Sequence, residues 1–239
     1  MMFQIKLKIC SFLYKLNFKI FKYVNKIDTA PIFKNENSYE VVKINFSDLE
    51  MERIKADMKN KNYTEKKFSL KYFLVPKDNK FLSQVDMSWG FSRRYYANLI
   101  NNKLGEKIKS FYGKGNYRFE HFWIWKTPKQ SANVNNEFHR DGDMHGAMKV
   151  MIYLNDVGEY DGPFAVKGKD ENIVKILGET GTTIIFNQKK CLHAGLPNFK
   201  KDRYVLVATI YPTLRKKIIY EEQKPINSRC ELNPFTKLS

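Results

Sequence analysis

The sequence predicts a mainly β protein with flanking helices, its strands packed antiparallel in a sandwich or jelly roll. Two observations carry that prediction. From Tyr117 to Pro212, short runs rich in β-branched and aromatic residues are separated by Gly, Asp and Asn turns. No helical segment falls between these runs, which argues against βαβ units and a parallel sheet. The size agrees: 239 residues with 43% apolar content can bury one substantial core, or a core domain plus an arm.

Residues 1–27, MMFQIKLKICSFLYKLNFKIFKYVNKI, differ from the rest. Lys8, Lys15, Lys19, Lys22 and Lys26 are spaced 7, 4, 3 and 4 apart, which puts them on one face of a helix. Phe3, Leu7, Leu13, Leu16, Ile20 and Val24 fill the other sides. The lysines interrupt what would be the apolar centre of a secretory signal, which argues against one. Two readings stay open: a basic helix lying on an anionic membrane surface, and a helix packed on its own domain with its lysines in water. Residues 28–40, with Pro31, read as a linker, so residues 1–40 form an arm, 41–214 a single domain and 215–239 a tail.

SDLEMERIKADMKN opens with Ser47 and Glu50, a capping box, and predicts a helix. FSLKYFLVP reads as a strand stopped by Pro76. Phe91–Gly113 has helical spacing and ends at a glycine. The predicted strands then follow: YRFEHFWIWKT, MKVMIYLND, GPFAVKG, NIVKILG, TTIIFN and YVLVATIYP. TPKQSANVNN (Thr127–Asn136), a polar loop between the first two, is a candidate lid.

Composition narrows the function classes. The net charge is +17, but the basic residues are spread along the whole chain. Lys, Asn and Ile are abundant together, as biased codon usage produces, so no nucleic-acid partner is expected. Cys10, Cys191 and Cys230 are odd in number and far apart, which argues against a disulfide scaffold and for a reducing cytoplasm. No apolar stretch approaches the length of a membrane span.

The chemistry concentrates in FHRDGD. His139 and Asp141 are two apart, so on an extended segment both side chains leave one face. An imidazole and a carboxylate placed so are two adjacent metal ligands. His193, just after TTIIFN, supplies a third if that part of the chain returns beside the first. Two histidines and one carboxylate form the facial triad of non-haem Fe(II) oxygenases. Arg203, ten residues after His193, opens the next strand. Its planar fork suits the far carboxylate of an α-keto acid. Lys149 opens the strand after the His–Asp pair, either as a second anion anchor or as a solvated strand lysine. The reversed pair Asp143 and His145 has no third partner at a supporting spacing, and His145 reads as a wall residue. Trp123, Trp125 and Tyr153 read as core or pocket lining, His121 as a core or rim histidine, and Cys191 as a small buried hydrophobe.

FHRDGD, MKVMIYLNDVGEYDGPFAVKG, GETGTTIIFNQKKCLHAGLPN and DRYVLVATIYP together resemble the phytanoyl-CoA dioxygenase-like branch of the 2-oxoglutarate/Fe(II) oxygenases, over about Tyr117 to Pro212. The resemblance implies a double-stranded β-helix, the cupin-like jelly roll. It implies iron held by His139, Asp141 and His193, with Arg203 on the cosubstrate 2-oxoglutarate. It also implies O₂ as partner and a small molecule as substrate, hydroxylated while 2-oxoglutarate is decarboxylated to succinate. Halogenating relatives have Ala or Gly where Asp141 stands, so hydroxylation is the implied outcome. Two positions depart from the pattern. Gly195 replaces a serine that assists the arginine, and Gly168-Lys169-Asp170 replaces a Gly-Ser-His.

Two rivals bracket this reading. A jelly roll can be a non-catalytic binding module, which has no need of a triad and an arginine together. A nucleic-acid-directed oxygenase of the same superfamily would show Arg-x5-Arg, whereas the next arginine after Arg203 is Arg215.

Overall fold

A computed structural model describes residues 12, 15–16, 18–24, 33, 36–59, 83–86, 91–112, 116–127, 129, 137–141 and 146–213. The predicted strand FSLKYFLVP, Asp143, His145, the candidate lid beyond Lys129 and the tail 215–239 lie outside the described residues.

Among the described residues, nine strands make two antiparallel sheets. They are β1 (Tyr39–Lys43), β2 (Ser83–Asp86), β3 (Asn116–Thr127), β4 (Met148–Tyr153), β5 (Phe164–Lys167), β6 (Ile173–Ile176), β7 (Thr182–Asn187), β8 (His193–Gly195) and β9 (Arg203–Thr213). The larger sheet has the order β1-β7-β4-β9-β3-β2, and the smaller β6-β5-β8. The helices α1 (Asp48–Lys59) and α2 (Phe91–Tyr112) precede most of the strands. The antiparallel jelly roll expected from the turn-punctuated runs is the architecture found.

Side-chain alternation divides the core into two layers. On β9, Leu206, Ala208 and Ile210 point toward the helices and join Ile100, Leu104, Ile108 and Phe111. Val205 and Val207 point the other way, between the sheets, with Phe164, Val166, Ile176, Ile184 and Phe186. Because both faces are covered, β7 and β9 read as unbroken apolar runs. On β3 the register shifts between Phe119 and His121. This irregularity lets Tyr117 and Phe119 share the helix-side layer with Phe122 and Ile124.

The capping box forms at the start of α1. The Ser47 N–H donates to Glu50 Oε2 at 2.8 Å, and the Glu50 N–H donates to Ser47 Oγ at 3.3 Å. Glu50 also pairs with Lys103 of α2 at 2.8 Å, which ties the helices together. Helical spacing on α2 buries Tyr96, Ile100, Leu104, Ile108, Phe111 and Tyr112. The Tyr112 hydroxyl, deep in that face, donates to the Gly146 carbonyl at 2.9 Å.

Residues 18–24 are helical, and there the basic segment packs on its own domain. Phe21 is fully buried and meets the Tyr112 ring edge-on, with centroids 6.1 Å apart, while Lys19 and Tyr23 face outward. Phe33, within the segment read as a linker, is also buried and stacks on Phe111 at 4.6 Å. Phe21→Ala is expected to lower unfolding free energy by about 3–5 kcal/mol, the usual cost of emptying a buried phenylalanine site. Urea denaturation measures it, and a loss under about 1 kcal/mol would show that this segment does not pack as described. Among the described residues, no helix is long and apolar enough to cross a membrane.

Candidate metal centre

The site lies where residues 139–141 run beside β8 and the turn before it. The His139 N–H donates to the His193 carbonyl at 2.9 Å, and the His193 N–H returns to the His139 carbonyl at 3.0 Å. The Asp141 N–H donates to the Gln188 carbonyl at 2.9 Å. These backbone bonds bring the third predicted ligand beside the first two. His193 is 5% exposed, its ring stacked on Phe164 at 5.2 Å and tilted against Phe186 at 4.7 Å.

Both imidazoles are oriented through Nδ1. His139 Nδ1 lies 2.8 Å from the Glu137 carbonyl, and His193 Nδ1 lies 3.1 Å from the Cys191 carbonyl. A carbonyl only accepts, so each Nδ1 carries the hydrogen, and in the neutral ring Nε2 keeps its lone pair. His139 Nε2 is 3.8 Å from Asp141 Oδ1, and His193 Nε2 is 3.4 Å from Asp141 Oδ2. The ligand atoms of His139, Asp141 and His193 all lie within 4.8 Å of one another. Two imidazoles and a carboxylate at this spacing are a donor set for a divalent first-row metal.

The electrostatics favour the ligating forms. Burial opposes ionisation of Asp141, but the Lys149 ammonium against Oδ2 outweighs it and holds the carboxyl well below its usual range. Burial lowers the pKa of His139, against the pull of the Glu137 carbonyl, and keeps its ring neutral. Lys149 Nζ sits 2.5 Å from Asp141 Oδ2 and 5.9 Å from the Trp125 ring centroid. The lysine therefore meets the triad's carboxylate.

Arg203 is only 4% exposed. Its Cα stands opposite that of Thr127 in the β3–β9 ladder. One guanidinium nitrogen, Nη1, donates to the Gly162 carbonyl; the other, Nη2, donates to Thr127 Oγ1 at 3.1 Å, and Nε has no partner. Among the described residues, no carboxylate pairs with this buried cation. Burial depresses its pKa. Gly195 makes room for it, and Gly162, whose carbonyl it meets, is itself tightly packed. A Cβ on Gly195 would lie 3.3 Å from Arg203 Nη2. Gly162 has φ +67°, and a Cβ there would stand 2.8 Å from the Leu196 carbonyl oxygen.

No protein-family profile matches the chain, and no curated protein matches it. Solved structures do. HygX from Streptomyces hygroscopicus, solved with nickel and 2-oxoglutarate bound, has a TM-score of 0.53 at 11% identity, covering 75% of this chain and 84% of its own. SnoN, a non-haem α-ketoglutarate-dependent epimerase from nogalamycin biosynthesis, has a TM-score of 0.55 at 13% identity, covering 74% and 79%. SnoK, a carbocyclase of the same pathway and cofactor dependence, has a TM-score of 0.54 at 9% identity, covering 77% and 83%. The fold is the cupin-like jelly roll of these enzymes. In this jelly roll, the small sheet carries His193 and the large sheet carries Arg203 and Lys149.

The sequence-predicted residues are thus placed as follows. His139, Asp141 and His193 come together, Lys149 meets Asp141, and Arg203 lies against Gly195, two residues along β8 from His193. Cys191 is buried, and burial pushes its thiol up to about 12, as befits an inert hydrophobe. Trp125 and Tyr153 line the layer between the sheets. The side chains of His121 and Trp123 lie outside the described residues. The predicted strand YRFEHFWIWKT ends, and the candidate lid begins, at Thr127, which is the last, buried residue of β3. Only the register of strands far apart in the chain sets it against Arg203.

Proposed function

We propose that the chain is an Fe(II)- and 2-oxoglutarate-dependent oxygenase of the phytanoyl-CoA dioxygenase-like branch, hydroxylating a small molecule. The observation that carries this reading is the pairing of a two-histidine, one-carboxylate triad with a buried, anion-less arginine. A buried cation without a partner is costly, and a bound carboxylate would compensate it. His193 and Gly195 project from the same face of β8, about 7 Å apart along the strand. That separation, with the reach of the His193 and Arg203 side chains, suits a short dicarboxylate held at one end by Arg203 and at the other near the triad. The Fe(II), when bound, supplies the activation of O₂ coupled to oxidative decarboxylation of the keto acid.

The chain's own residues hold and shield the site. His139 and His193 present Nε2, and Asp141 a carboxylate oxygen whose charge Lys149 balances. Three protein ligands on one face leave the opposite face for small molecules. Phe164 and Phe186 cover the His193 ring and keep water from its buried side. HygX is also known with hygromycin B bound, which supports a small molecule as substrate. The same reading places one oxygenase domain, 41–214, in the cytoplasm.

Anaerobic titration of the purified protein with Fe(II) and 2-oxoglutarate tests the proposal. A weak visible charge-transfer band that needs both components, and that His139→Ala abolishes, is expected. Absence of the band in folded, iron-loaded wild type would turn the assignment to a non-catalytic jelly-roll binder.

A further inference from the structure

We infer that the helical stripe Phe12, Leu16, Lys19 and Tyr23 seats this protein on an anionic membrane surface, with the opposite side of the same segment fixed to the domain. Neither this surface nor its test depends on the metal centre.

The inner side is already occupied. Phe21 is fully buried, and Phe18 packs on the same core layer, stacked on Phe21 with centroids 6.4 Å apart. Gly146, at φ +76°, leaves the space that the Phe18 ring fills, and a Cβ there would overlap the ring. Tyr112 closes the contact, its ring edge-on to Phe21 and its hydroxyl on the Gly146 carbonyl. These contacts decide which side is left over. Residues 12, 15, 16 and 18–24 are helical. At 3.6 residues per turn, Phe12, Leu16, Lys19 and Tyr23, spaced 4, 3 and 4 apart, share the side opposite Phe21. Phe12 is 63% exposed, Leu16 37% and Tyr23 87%, with Val24 on the flank at 60%. Four of the eleven exposed large hydrophobic residues among those described fall on these ten positions, so they form a patch rather than the usual scatter.

Charge selects the occupant. Lys15 and Lys19 are exposed beside the apolar groups, and Lys22 borders them with Nζ 6.0 Å from the Phe18 ring centroid. Residues 1–27 hold six lysines and no aspartate or glutamate. A second copy of this chain, docked face to face, would set these lysines against each other. A bilayer with anionic headgroups takes both kinds of group at once. Apolar side chains enter the acyl boundary, while the lysine stems lie along it and their ammonium ends reach the phosphates. A tyrosine suits the same depth, with its ring in the interface and its hydroxyl in water.

Cosedimentation of the full chain with lipid vesicles is the test. Wild type is expected to bind vesicles of phosphatidylcholine mixed with phosphatidylserine, to stay in solution with phosphatidylcholine alone, and to be released by high salt. Lys15→Gln/Lys19→Gln is expected to weaken binding about 25-fold, roughly 5-fold for each lysine. Phe12→Ser/Leu16→Ser/Tyr23→Ser keeps every charge and is expected to weaken it at least about 10-fold. These side chains are exposed, so urea denaturation of both variants should match wild type. Net charge of +17 makes general adhesion to anionic lipid the rival. Lys200 and Lys201 precede Arg203, at the far end of β9 from Ile210, whose carbonyl Tyr112 meets. Lys200→Gln/Lys201→Gln is therefore the control and should bind as wild type does. Binding that ignores the triple variant, or that the control weakens equally, would show general adhesion and overturn the inference. Failure of wild type to bind the anionic vesicles would overturn it too, and a dimer in free solution that the triple variant dissolves would then assign the stripe to a second copy.

Discussion

Asp141→Ala is expected to eliminate specific divalent-metal binding, a loss beyond the roughly 10–100-fold that changes around a metal's ligands cost. It removes the only carboxylate of the triad and leaves two imidazoles. It also strands Lys149, whose ammonium meets Asp141 Oδ2 at 2.5 Å and whose side chain is mostly buried. The metal-free variant should therefore lose about 1.5–3 kcal/mol of stability, the range for a hydrogen bond to a charged group. Asp141→Ala/Lys149→Met removes both charges and should recover most of that stability while still binding no metal. Calorimetric metal titration and chemical denaturation of the two variants separate the effects. Metal affinity retained by a folded Asp141→Ala protein would remove Asp141 from the ligand set.

Arg203→Met should act in the opposite sense on stability. The guanidinium is buried with no carboxylate, so its desolvation costs several kcal/mol in the metal-free protein. Two hydrogen bonds, to the Gly162 carbonyl and Thr127 Oγ1, return about 1–1.5 kcal/mol each. Methionine fills much of the volume without the charge. The metal-free variant is expected to melt roughly 2–6 °C above wild type. Added 2-oxoglutarate with Mn(II) should raise the melting temperature of wild type and leave the variant unmoved. A variant that melts lower than wild type without ligand would mean that the arginine already has adequate compensation. Such a residue, destabilising when empty and required when filled, fits a binding site rather than a scaffold.

Much of this was legible because it is local. Turn residues at short intervals announced the antiparallel strands, the Ser47–Glu50 spacing announced the α1 cap, and His139 with Asp141 announced two ligands on one face. His193 and Arg203 were legible by their placement around strands whose apolar runs are unmistakable. What escaped depends on register. β1 and β2 are edge strands with weak patterns, and β8 is three residues long. The irregularity between Phe119 and His121 reverses which side chains face the helices, and nothing in the local residues marks it. Thr127 sits where the predicted strand and the candidate lid overlap, and only alignment of β3 with β9 shows that it meets Arg203. Lys149 was ambiguous for the same reason, since alternation says that it faces inward but not which group it meets.

The strand order has a further consequence, for the order of events as the chain is made. β1, the first strand of the larger sheet, hydrogen-bonds β7, with Tyr39 opposite Phe186. An emerging chain must hold β1 unpaired until nearly all the jelly roll has been synthesised. Non-local pairing of this kind makes folding slow and leaves strand edges open meanwhile. The metal site is later still, because His139 gains its backbone partner only when His193 arrives. Iron capture at this triad is thus a late event that reports completion of the sheets. A nascent or truncated chain that ends before β8 has two of the three ligands and no means of closing the ring around the ion.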